Sequence, residues 1–461
     1  MNLFCPALNI TIPNNILFPM IVMKFGGSSL ANADRIRHVA EIVKARLDKK
    51  PVLVLSAMGD TTDYLLEAGE EALKKSAVHT GKIEELHLGA IMEMKLGETT
   101  LGTVRPLLDE LKTLLMGISL IRELTGRTKD YLVSFGERLS VRIVAAYFTA
   151  QGINARPVDA WDAGFVSDSG FGSAELTEES WNLIPAKLLA QAEEGLLQVV
   201  TGFIAKDKNG NITTIGRGGS DLSATMIASS CGAGEVQIWK DVDGILSADP
   251  RIVKDARLVE TVTYEEASEL AYYGAQVLHP RAMQPCIRSG TPVLVKNSYN
   301  PEAPGTRIVQ SFVRKTRPVM AITSRRNVTL VDIVSSRMMG QYGFLSEVFA
   351  CFARYGVSVD MVATSEVSIS LSLDPVYELS ALKKDLSLIA SVEIKTGKAI
   401  VTLIGDVGHS AEILVRSFKV CQLLDVQVQM ISQGASKVNI SFVVDDREAA
   451  EVVKGLHKDF F

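Results

Sequence analysis

The segment Lys24–Ser29 combines a lysine with two glycines and two serines, residue types that can handle an anion. It follows the apolar run Ile21–Met23, which predicts a short buried strand, and precedes Ala31–Leu47, where apolar residues recur at helical spacing. Glycines on such a turn let a backbone approach a ligand closely, and the unpaired amides of a helix start favour negative charge. The pattern predicts a phosphate cradle; an ordinary turn with a solvated lysine is the alternative.

A second glycine-rich segment, Ile215–Thr225, carries an arginine and an aspartate. The planar guanidinium of Arg217 suits two-point capture of a carboxylate, and Ser220 or Asp221 is predicted to cap the helix that follows. The alternatives are a structural salt bridge for Arg217 and a plain helix cap for Asp221.

Two further places hold charge after predicted buried elements. Trp239–Arg251 carries Lys240 and Asp241 in a loop that could hold nucleotide phosphates and ribose, or could be a solvated acidic turn. Glu137, in the segment VSFGERLS, is predicted to lie at a helix start, where a glutamate that complements the helix dipole is the alternative.

The elements that would position these residues alternate between apolar strands and helical segments from Lys24 to about Tyr299. Pro51–Met58, Leu197–Phe203 and Val236–Trp239 are typical of buried strands, and Tyr131–Arg142 of a helix. Such alternation predicts a mostly parallel sheet flanked by helices, with ligands at the carboxyl ends of the strands.

The amino-acid composition of the chain argues against several classes of function. The chain has 461 residues, 47% of them hydrophobic, and a net charge of −5, which argues against a nucleic-acid partner. Its five scattered cysteines fit a reducing compartment, and no histidine has metal-ligand spacing, His279 being predicted to end or pack a helix. No apolar run approaches the ~18 residues of a membrane span, and the first 20 residues lack the features of a secretory signal. We therefore expect the cytoplasm and no membrane partner, with the plastid stroma as the alternative for a plant or algal source.

Beyond a turn-rich and charged boundary near residues 300–320, the chain repeats itself weakly. The segments VSVDMVATSEVSISL and VQVQMISQGASKVNISF resemble each other with Met361 and Met430 in register, which predicts two small ferredoxin-like modules. The predicted domains are an N-terminal extension (1–20), a catalytic domain (21–310), and two modules (311–397 and 398–461). In one alternative the C-terminal residues complete the first module.

Six motifs occur in order, KFGGSS, LSAMGDTTD, VSFGERLS, TTIGRGGSD, WKDVDGILSADPR and YYGAQVLHP, and together they resemble the aspartate kinases of the amino-acid-kinase family. The C-terminal repeat is similar to the paired ACT modules of lysine-sensitive, monofunctional members. The resemblance implies an α/β fold, a three-layer αβα sandwich with a mainly parallel sheet, followed by two βαββαβ ACT modules. It also implies transfer of a phosphoryl group from ATP, with Mg²⁺, to the β-carboxylate of L-aspartate.

The resemblance further implies roles for individual residues. Lys24 and Asp221 would be catalytic, Lys24 stabilising the phosphoryl group in flight and Asp221 holding Lys24 in position. Nucleotide-binding positions would be Lys24, Gly26, Gly27, Ser28, Lys240, Asp241, Leu246, Arg251, Gln276 and Val277, of which Leu246 and Gln276 depart from some relatives. Substrate-binding positions would be Thr62, Glu137, Arg217, Gly218, Gly219 and Ser220, with Arg217 on the α-carboxylate and Glu137 on the ammonium.

In the repeat, the resemblance implies an effector pocket and a homo-oligomer that pairs through the ACT modules. Its positions would be Met338, Gln341, Gly343, Phe344, Leu345, Val359, Asp360, Thr364, Ser365 and Glu366. L-lysine is the expected effector, since Asp360 and Glu366 supply negative charge for its side chain, and threonine and S-adenosylmethionine are alternatives. Other hypotheses keep the fold with a different acceptor (N-acetylglutamate, glutamate or a nucleoside monophosphate), or make the chain a non-catalytic amino-acid sensor.

Overall fold

The computed structural model describes residues 20–75, 77–191, 195–273, 278–312, 318–335, 338, 342–374, 378–433 and 438–461. These residues form two compact units. The first takes in the described residues up to Gly244 and Leu278–Gln310, and the second those of Ile245–Val277 and Ser311–Phe461. This division is by packing and does not test the domain boundaries predicted from the sequence, which stay predictions.

Strands and helices alternate through the first unit. Up to Gly244 the elements are β1 Ile21–Phe25, α1 Ala33–Lys44, β2 Pro51–Leu55, α2 Thr61–Lys75, α3 Gly81–Glu93, α4 Glu98–Ile121, α5 Gly126–Ala150, β3 Ala155–Val158, β4 Val166–Ser167, α6 Glu179–Ala190, β5 Leu197–Thr201, β6 Ile204–Asp207, β7 Ile212–Thr214, α7 Gly219–Ser230 and β8 Glu235–Lys240. In the second unit lie β9 Thr261–Thr263 and α8 Tyr264–Tyr272; α9 Pro280–Ser289, β10 Val293–Asn297 and β11 Thr306–Val309 again belong to the first.

Seven strands of the first unit pair in the order β3-β5-β2-β1-β8-β10-β11, and every pair among these seven is parallel except β10 with β11. All five residues of β1, β2 and β5 are buried, as expected of strands covered on both faces. A core that includes Phe25, Leu53 and Trp239 extends into α1, α2, α4 and α5. The predicted α/β sandwich with a mainly parallel sheet is confirmed.

The second unit continues with an antiparallel sheet and helices. Its elements are β12 Val319–Val334, α10 Phe344–Arg354, β13 Met361–Thr364, β14 Ser368–Leu373, α11 Ser380–Leu386, β15 Ser391–Gly405, α12 Ser410–Leu423, β16 Met430–Ser432, β17 Asn439–Asp445 and α13 Ala449–Phe460. The six strands pair in the order β13-β14-β12-β15-β17-β16. Met361 and Met430, the matched positions of the sequence repeat, are both buried in one apolar cluster with Ile400 and Val443.

The central strands of this sheet are longer than the apolar runs that mark them in the sequence. The apolar runs Val328–Val334 and Ala399–Ile404 are only parts of β12 and β15. In β12 the polar run Arg325–Asn327 interrupts the apolar pattern, and register shifts occur there in the pairing with β15. A bulged strand keeps its pairing on both sides of such an interruption, so periodicity alone divides it too early. Among the described helices, none is both long enough and apolar enough to cross a membrane.

Candidate active site

Lys24 projects from the centre of the parallel sheet. It lies one residue from the end of β1, in register with Val54 of β2 and Ile238 of β8, and is 7% exposed. The residues after it form a 3₁₀ turn, Gly27–Leu30, and α1 begins only at Ala33, where the Asn32 side chain accepts from the Arg35 amide. The segment Lys24–Ser29 thus leads from a buried strand towards a helix, as the sequence predicted, and Asn32 sets the helix start at Ala33.

Asp221 joins two cations that come from neighbouring strands. Its carboxylate lies 2.6 Å from Lys24 Nζ and 3.2 Å from Lys240 Nζ, and its side chain is 5% exposed. Burial favours the neutral acid, but the two ammonium groups outweigh it and hold the pKa of Asp221 below its usual range. The site thus fixes two lysines and one ionised carboxylate where β1 and β8 end.

Glu137 lies inside α5, not at a helix start as the sequence predicted, because Thr125 caps that helix and α5 begins at Gly126. Its Oε1 accepts from the Ala57 amide at 3.2 Å, and its buried Oε2 has no hydrogen-bond partner. Gly136 permits this approach, since a Cβ there would lie 2.7 Å from the Ala57 Cβ. Desolvation of the carboxylate raises the pKa of Glu137 to about 8. Glu137 is thus a buried acceptor with one oxygen still to satisfy.

The loop that carries Arg217 turns sharply into α7. Gly218, with φ 74°, is the residue before the helix, and a Cβ there would lie 2.7 Å from the Cβ of His279. The prediction that Ser220 or Asp221 caps α7 is wrong: both lie inside its first turn, and Asp221 instead pairs with the lysines. Arg217 itself is exposed. His279 caps α9 by accepting from the Arg281 amide, which confirms the prediction of a helix-end role.

These groups surround one cavity of about 330 Å³ in the first unit. Its lining includes Lys24, Gly27, Ser56, Ala57, Gly59, Thr62, Glu137, Phe203, Gly216, Arg217, Gly218, Gly219, Ser220 and Asp221. The cavity therefore brings together Lys24, an arginine and a buried carboxylate with an unpartnered oxygen, and its Asp221 joins Lys24 to Lys240. Such a set can hold an amino acid by both of its charged backbone groups and can stabilise negative charge beside it.

Several supports of this cavity were not identified from the sequence. Asp130, 2% exposed, accepts from the amide and hydroxyl of Thr214, both at 2.8 Å, and from the Gly172 amide. Arg281 donates to the carbonyl of Ile215 at 3.1 Å, and Ser56 donates to the Ser220 hydroxyl at 3.0 Å. These bonds fix both sides of the Arg217 loop. A single aspartate or arginine inside a helix carries no sequence signal of such a role.

The remaining described nucleotide positions are divided between the two units. Asp241 is exposed directly after Lys240, and Ser28 is exposed on the 3₁₀ turn beside Gly26. Leu246 and Arg251 belong to the second unit, where the Arg251 side chain is 89% exposed and pairs with Asp249 at 2.7 Å. Gln276 and Val277 lie outside the described residues.

The predicted effector positions lie in the second unit, around α10 and β13. Asp360 is the most constrained of them, with a side chain 5% exposed. Its Oδ1 accepts from the Tyr272 hydroxyl at 2.5 Å and its Oδ2 from Arg325 at 3.1 Å. Burial raises the pKa of Asp360 against the opposing influence of these two donors. The other described positions are Met338, Gly343, Phe344, Leu345, Val359, Thr364, Ser365 and Glu366, and Gln341 lies outside the described residues.

Models of two protein families match the sequence. The amino acid kinase family matches residues 19–297, and an ACT domain matches residues 331–384 and 401–460. The chain is 48% identical to "Aspartokinase 1, chloroplastic" of Arabidopsis thaliana over 95% of its own length and 80% of that protein. It is 34% identical to "Lysine-sensitive aspartokinase 3" of Escherichia coli over 96% of its own length and 99% of that protein.

Two solved structures of E. coli aspartokinase III are similar over 96% of this chain and all of theirs. The complex with aspartate and ADP (R-state) has a TM-score of 0.79 at 31% identity, and the complex with lysine and aspartate (T-state) has 0.78 at 32%. The similarity in sequence and fold thus covers 96% of this chain.

Proposed function

The chain belongs to the aspartokinases of the amino acid kinase family, and from this membership we propose how its own residues perform the family's reaction. The activity is ATP-dependent phosphorylation of L-aspartate. An oxygen of the aspartate β-carboxylate forms the new bond to the γ-phosphorus while the bridge to ADP breaks and its electron pair leaves with ADP. The products are ADP and 4-phospho-L-aspartate.

The unpartnered oxygen of Glu137 carries the assignment of the acceptor. A buried carboxylate with a free lone pair is costly unless a cation meets it, and the aspartate ammonium is such a cation. Arg217, on the same cavity, would take the α-carboxylate in two-point fashion. Thr62, Gly218, Gly219 and Ser220 would complete the aspartate pocket. The β-carboxylate then remains for chemistry.

Lys24 would offset the charge that repels the two anions. The acceptor is a carboxylate with an ordinary pKa near 3.9, so it needs no general base at neutral pH. The requirement is charge stabilisation by fixed donors, which are worth most where water is excluded. Asp221 would act as a positioning residue, because it contacts Lys24 and Lys240 together.

The nucleotide would lie with its phosphates on Gly26, Gly27, Ser28 and Lys240. Asp241, Leu246, Arg251, Gln276 and Val277 would contact the rest of it. Mg²⁺ would enter on the phosphates: among the described residues no group of three or more metal-binding side chains forms a cage, and Asp221 is already paired with two lysines. When bound, the ion would neutralise phosphate charge.

The test of the reaction is formation of a hydroxylamine-trappable acyl phosphate from ATP, Mg²⁺ and aspartate. We expect aspartate to exceed glutamate, N-acetylglutamate and nucleoside monophosphates in kcat/KM. N-acetylglutamate has no ammonium for Glu137 and a nucleoside monophosphate has no α-carboxylate for Arg217. A higher kcat/KM for any of these acceptors, or no acyl phosphate at all, would overturn the assignment.

We further propose that L-lysine inhibits the enzyme by binding at the ACT positions around Asp360, and that the chain assembles as a homo-oligomer through its ACT modules. The E. coli relative is named lysine-sensitive, and E. coli aspartokinase III has been solved in complex with lysine and aspartate, which supports the effector. Activity titrated with lysine, threonine and S-adenosylmethionine tests the first proposal, and light scattering on the purified chain tests the second.

The compartment remains a proposal as well. The cytoplasm is the expectation from the sequence, and the plastid stroma is its alternative. The word "chloroplastic" in the name of the Arabidopsis relative supports the alternative. Imaging of the full chain fused to a fluorescent protein in its native host decides between them.

A further inference from the structure

Residues 297–300, which begin with the last residue of β10, contact Lys240 at the end of β8 and the turn that follows Lys24. Asn297 is in register with Lys240 across β10 and β8. The Ser298 amide donates to the Lys240 carbonyl at 2.7 Å, and the Tyr299 hydroxyl donates to the Ser28 carbonyl at 3.1 Å. The segment, which we call the 297–300 strap, therefore spans the strand ends of β1 and β8.

The hydroxyl of Ser298 is the centre of this strap. It donates to the Lys240 carbonyl at 3.0 Å and lies 2.8 Å from the Ser29 hydroxyl. A hydroxyl has a single hydrogen, so once Ser298 donates to Lys240 it must accept from Ser29. Both serines are buried, at 2% and 1% exposed, so water cannot replace either bond.

The flanking residues hold the strap itself. Asn297 Nδ2 donates to Asp243 at 2.8 Å, and Asn297 Oδ1 accepts from the Tyr299 amide at 2.8 Å. The Arg35 guanidinium lies 3.6 Å over the Tyr299 ring. Ser298 is thus held from both neighbours, and its hydroxyl has a fixed direction.

Asp221 and Ser298 connect the two lysine-bearing segments by two separate routes. On the side-chain side, the Asp221 carboxylate bridges the Lys24 and Lys240 ammonium groups. On the backbone side, Ser298 bridges the carbonyl of Lys240 and the turn that follows Lys24. The pairing of β1 with β8 already fixes the two backbones, and these two bridges additionally hold the lysine ammonium groups and the turn after Lys24 in place.

We propose that Ser298 is a positioning residue for phosphoryl transfer, which sets Lys240 and the Gly26–Ser29 turn relative to each other so that both meet the nucleotide phosphates. This inference rests on the proposed nucleotide roles of Lys240 and the turn. It assigns no contact between Ser298 and substrate. Its effect belongs to the ATP side of the reaction, because the hydrogen bonds of Ser298 reach Lys240 and Ser29, which both lie on the proposed nucleotide side.

The experiment measures steady-state kinetics of Ser298→Ala, Ser29→Ala and the double variant with both substrates. We expect Ser298→Ala to lower kcat/KM for ATP about tenfold while KM for aspartate stays within about twofold, the size expected for lost buried hydrogen bonds. Since the two hydroxyls form one chain of bonds, the double variant should be no worse than Ser298→Ala alone. Additive losses, equal losses on ATP and aspartate, or no loss would each overturn the proposal.

Ser441→Ala is the matched control, since it removes a buried hydroxyl that lies 2.8 Å from the Thr402 hydroxyl in the second unit. We expect it to lower the melting temperature about as much as Ser298→Ala while leaving kcat/KM for ATP unchanged. If Ser298→Ala fails to fold, Ser29→Ala, which removes only one bond, carries the same ATP-specific test. A wild-type chain that makes no phosphoaspartate would refute the proposed function itself, whereas an active wild type with an unaffected Ser298→Ala variant refutes only this inference.

Discussion

Glu137 in the first unit and Asp360 in the second are both buried carboxylates that we assign to an amino-acid ammonium group, and their surroundings differ. Glu137 has one oxygen on the Ala57 amide and one without a partner. Asp360 has both oxygens engaged, by the Tyr272 hydroxyl and the Arg325 guanidinium. Glu137, proposed for the substrate, thus has an oxygen free to meet a ligand, whereas both oxygens of Asp360, proposed for the effector, already accept hydrogen bonds from the protein.

This difference bears on how tightly each ligand can bind. Folding has already desolvated Glu137, so once its carboxyl group is ionised an aspartate ammonium gains an ion pair without displacing a protein donor. A lysine ammonium at Asp360 must replace or share existing hydrogen bonds, so only the difference between partners appears as affinity. The substrate site is therefore ready to bind its ligand, whereas the effector site binds only by exchanging existing hydrogen bonds. Such an effector site suits inhibition that varies with the effector concentration.

The largest expected effect tests whether the first-unit cavity is catalytic at all. Lys24→Met keeps the length of the side chain but removes the charge beside Asp221, and should lower kcat by about 10²–10³-fold or more, as for loss of a transition-state donor. Lys208→Met, which removes an exposed lysine paired with Glu179, is the control and should leave kcat unchanged. A Lys24→Met enzyme with normal kcat would remove Lys24 from the mechanism and leave the comparison without a substrate site.

Glu137→Gln tests the vacant side of the comparison directly. The amide is nearly isosteric but carries no charge for the ammonium, so kcat/KM for aspartate should fall about 10²-fold, the cost of a lost buried ion pair. Succinate, which is aspartate without its ammonium group, serves as the second acceptor. We expect the wild type to prefer aspartate strongly and Glu137→Gln to lose most of that preference; an unchanged preference would show that Glu137 does not recognise the ammonium.

The pH dependence sharpens the same assignment. With the pKa of Glu137 raised to about 8 by burial, the free enzyme holds a proton there below that pH, and the ammonium meets a neutral acid. Thus kcat/KM for aspartate should rise up to about tenfold per pH unit between pH 6 and 8, and this slope should vanish in Glu137→Gln.

The same shift predicts a sign for stability. The folded protein keeps the Glu137 proton above the pH at which the unfolded chain releases it, so the free energy of unfolding should fall as pH rises from about 4.5 towards 8. Glu137→Gln should lessen that fall, as urea unfolding at pH 5 and pH 8 would show. A wild type and variant with parallel pH profiles in both kinetics and stability would contradict the raised pKa.

Much of the fold followed from local patterns. The apolar runs Pro51–Met58 and Val236–Trp239 predicted buried strands, and β2 and β8 lie there, because a strand covered on both faces needs no alternation. Lys24 and Lys240 each come directly after a predicted strand in the sequence. In the structure they lie on the same side of the sheet and share Asp221. Strand ends of a parallel sheet converge, so this part of the site was accessible from the sequence.

What the sequence could not provide are contacts between distant segments. Ser298 meets Ser29 across 269 residues, and Tyr272 meets Asp360 across 88. Neither contact can be predicted from the hydrophobic periodicity, and each of the four residues is a common polar residue near a turn or a helix end. Glu137 was misplaced at a helix start for a different reason: the Thr125 cap lies before a polar stretch that hides the first turn of α5.

The smallest effect tests the occupied side. Tyr272→Phe removes the hydroxyl that donates to Asp360 but keeps the ring, which lies 5.3 Å from the Arg325 guanidinium carbon. If lysine must displace that hydroxyl, the variant should need about three- to tenfold less lysine for half-inhibition, the equivalent of the net free energy of one ordinary hydrogen bond. Tyr355→Phe is the matched control, because Tyr355 donates to Asp385 in the same unit at 2.8 Å and should leave lysine sensitivity unchanged. A weaker response of Tyr272→Phe to lysine would mean that the hydroxyl holds Asp360 in its binding position. Both carboxylates would then be preformed, and they would differ only in which protein groups donate to them.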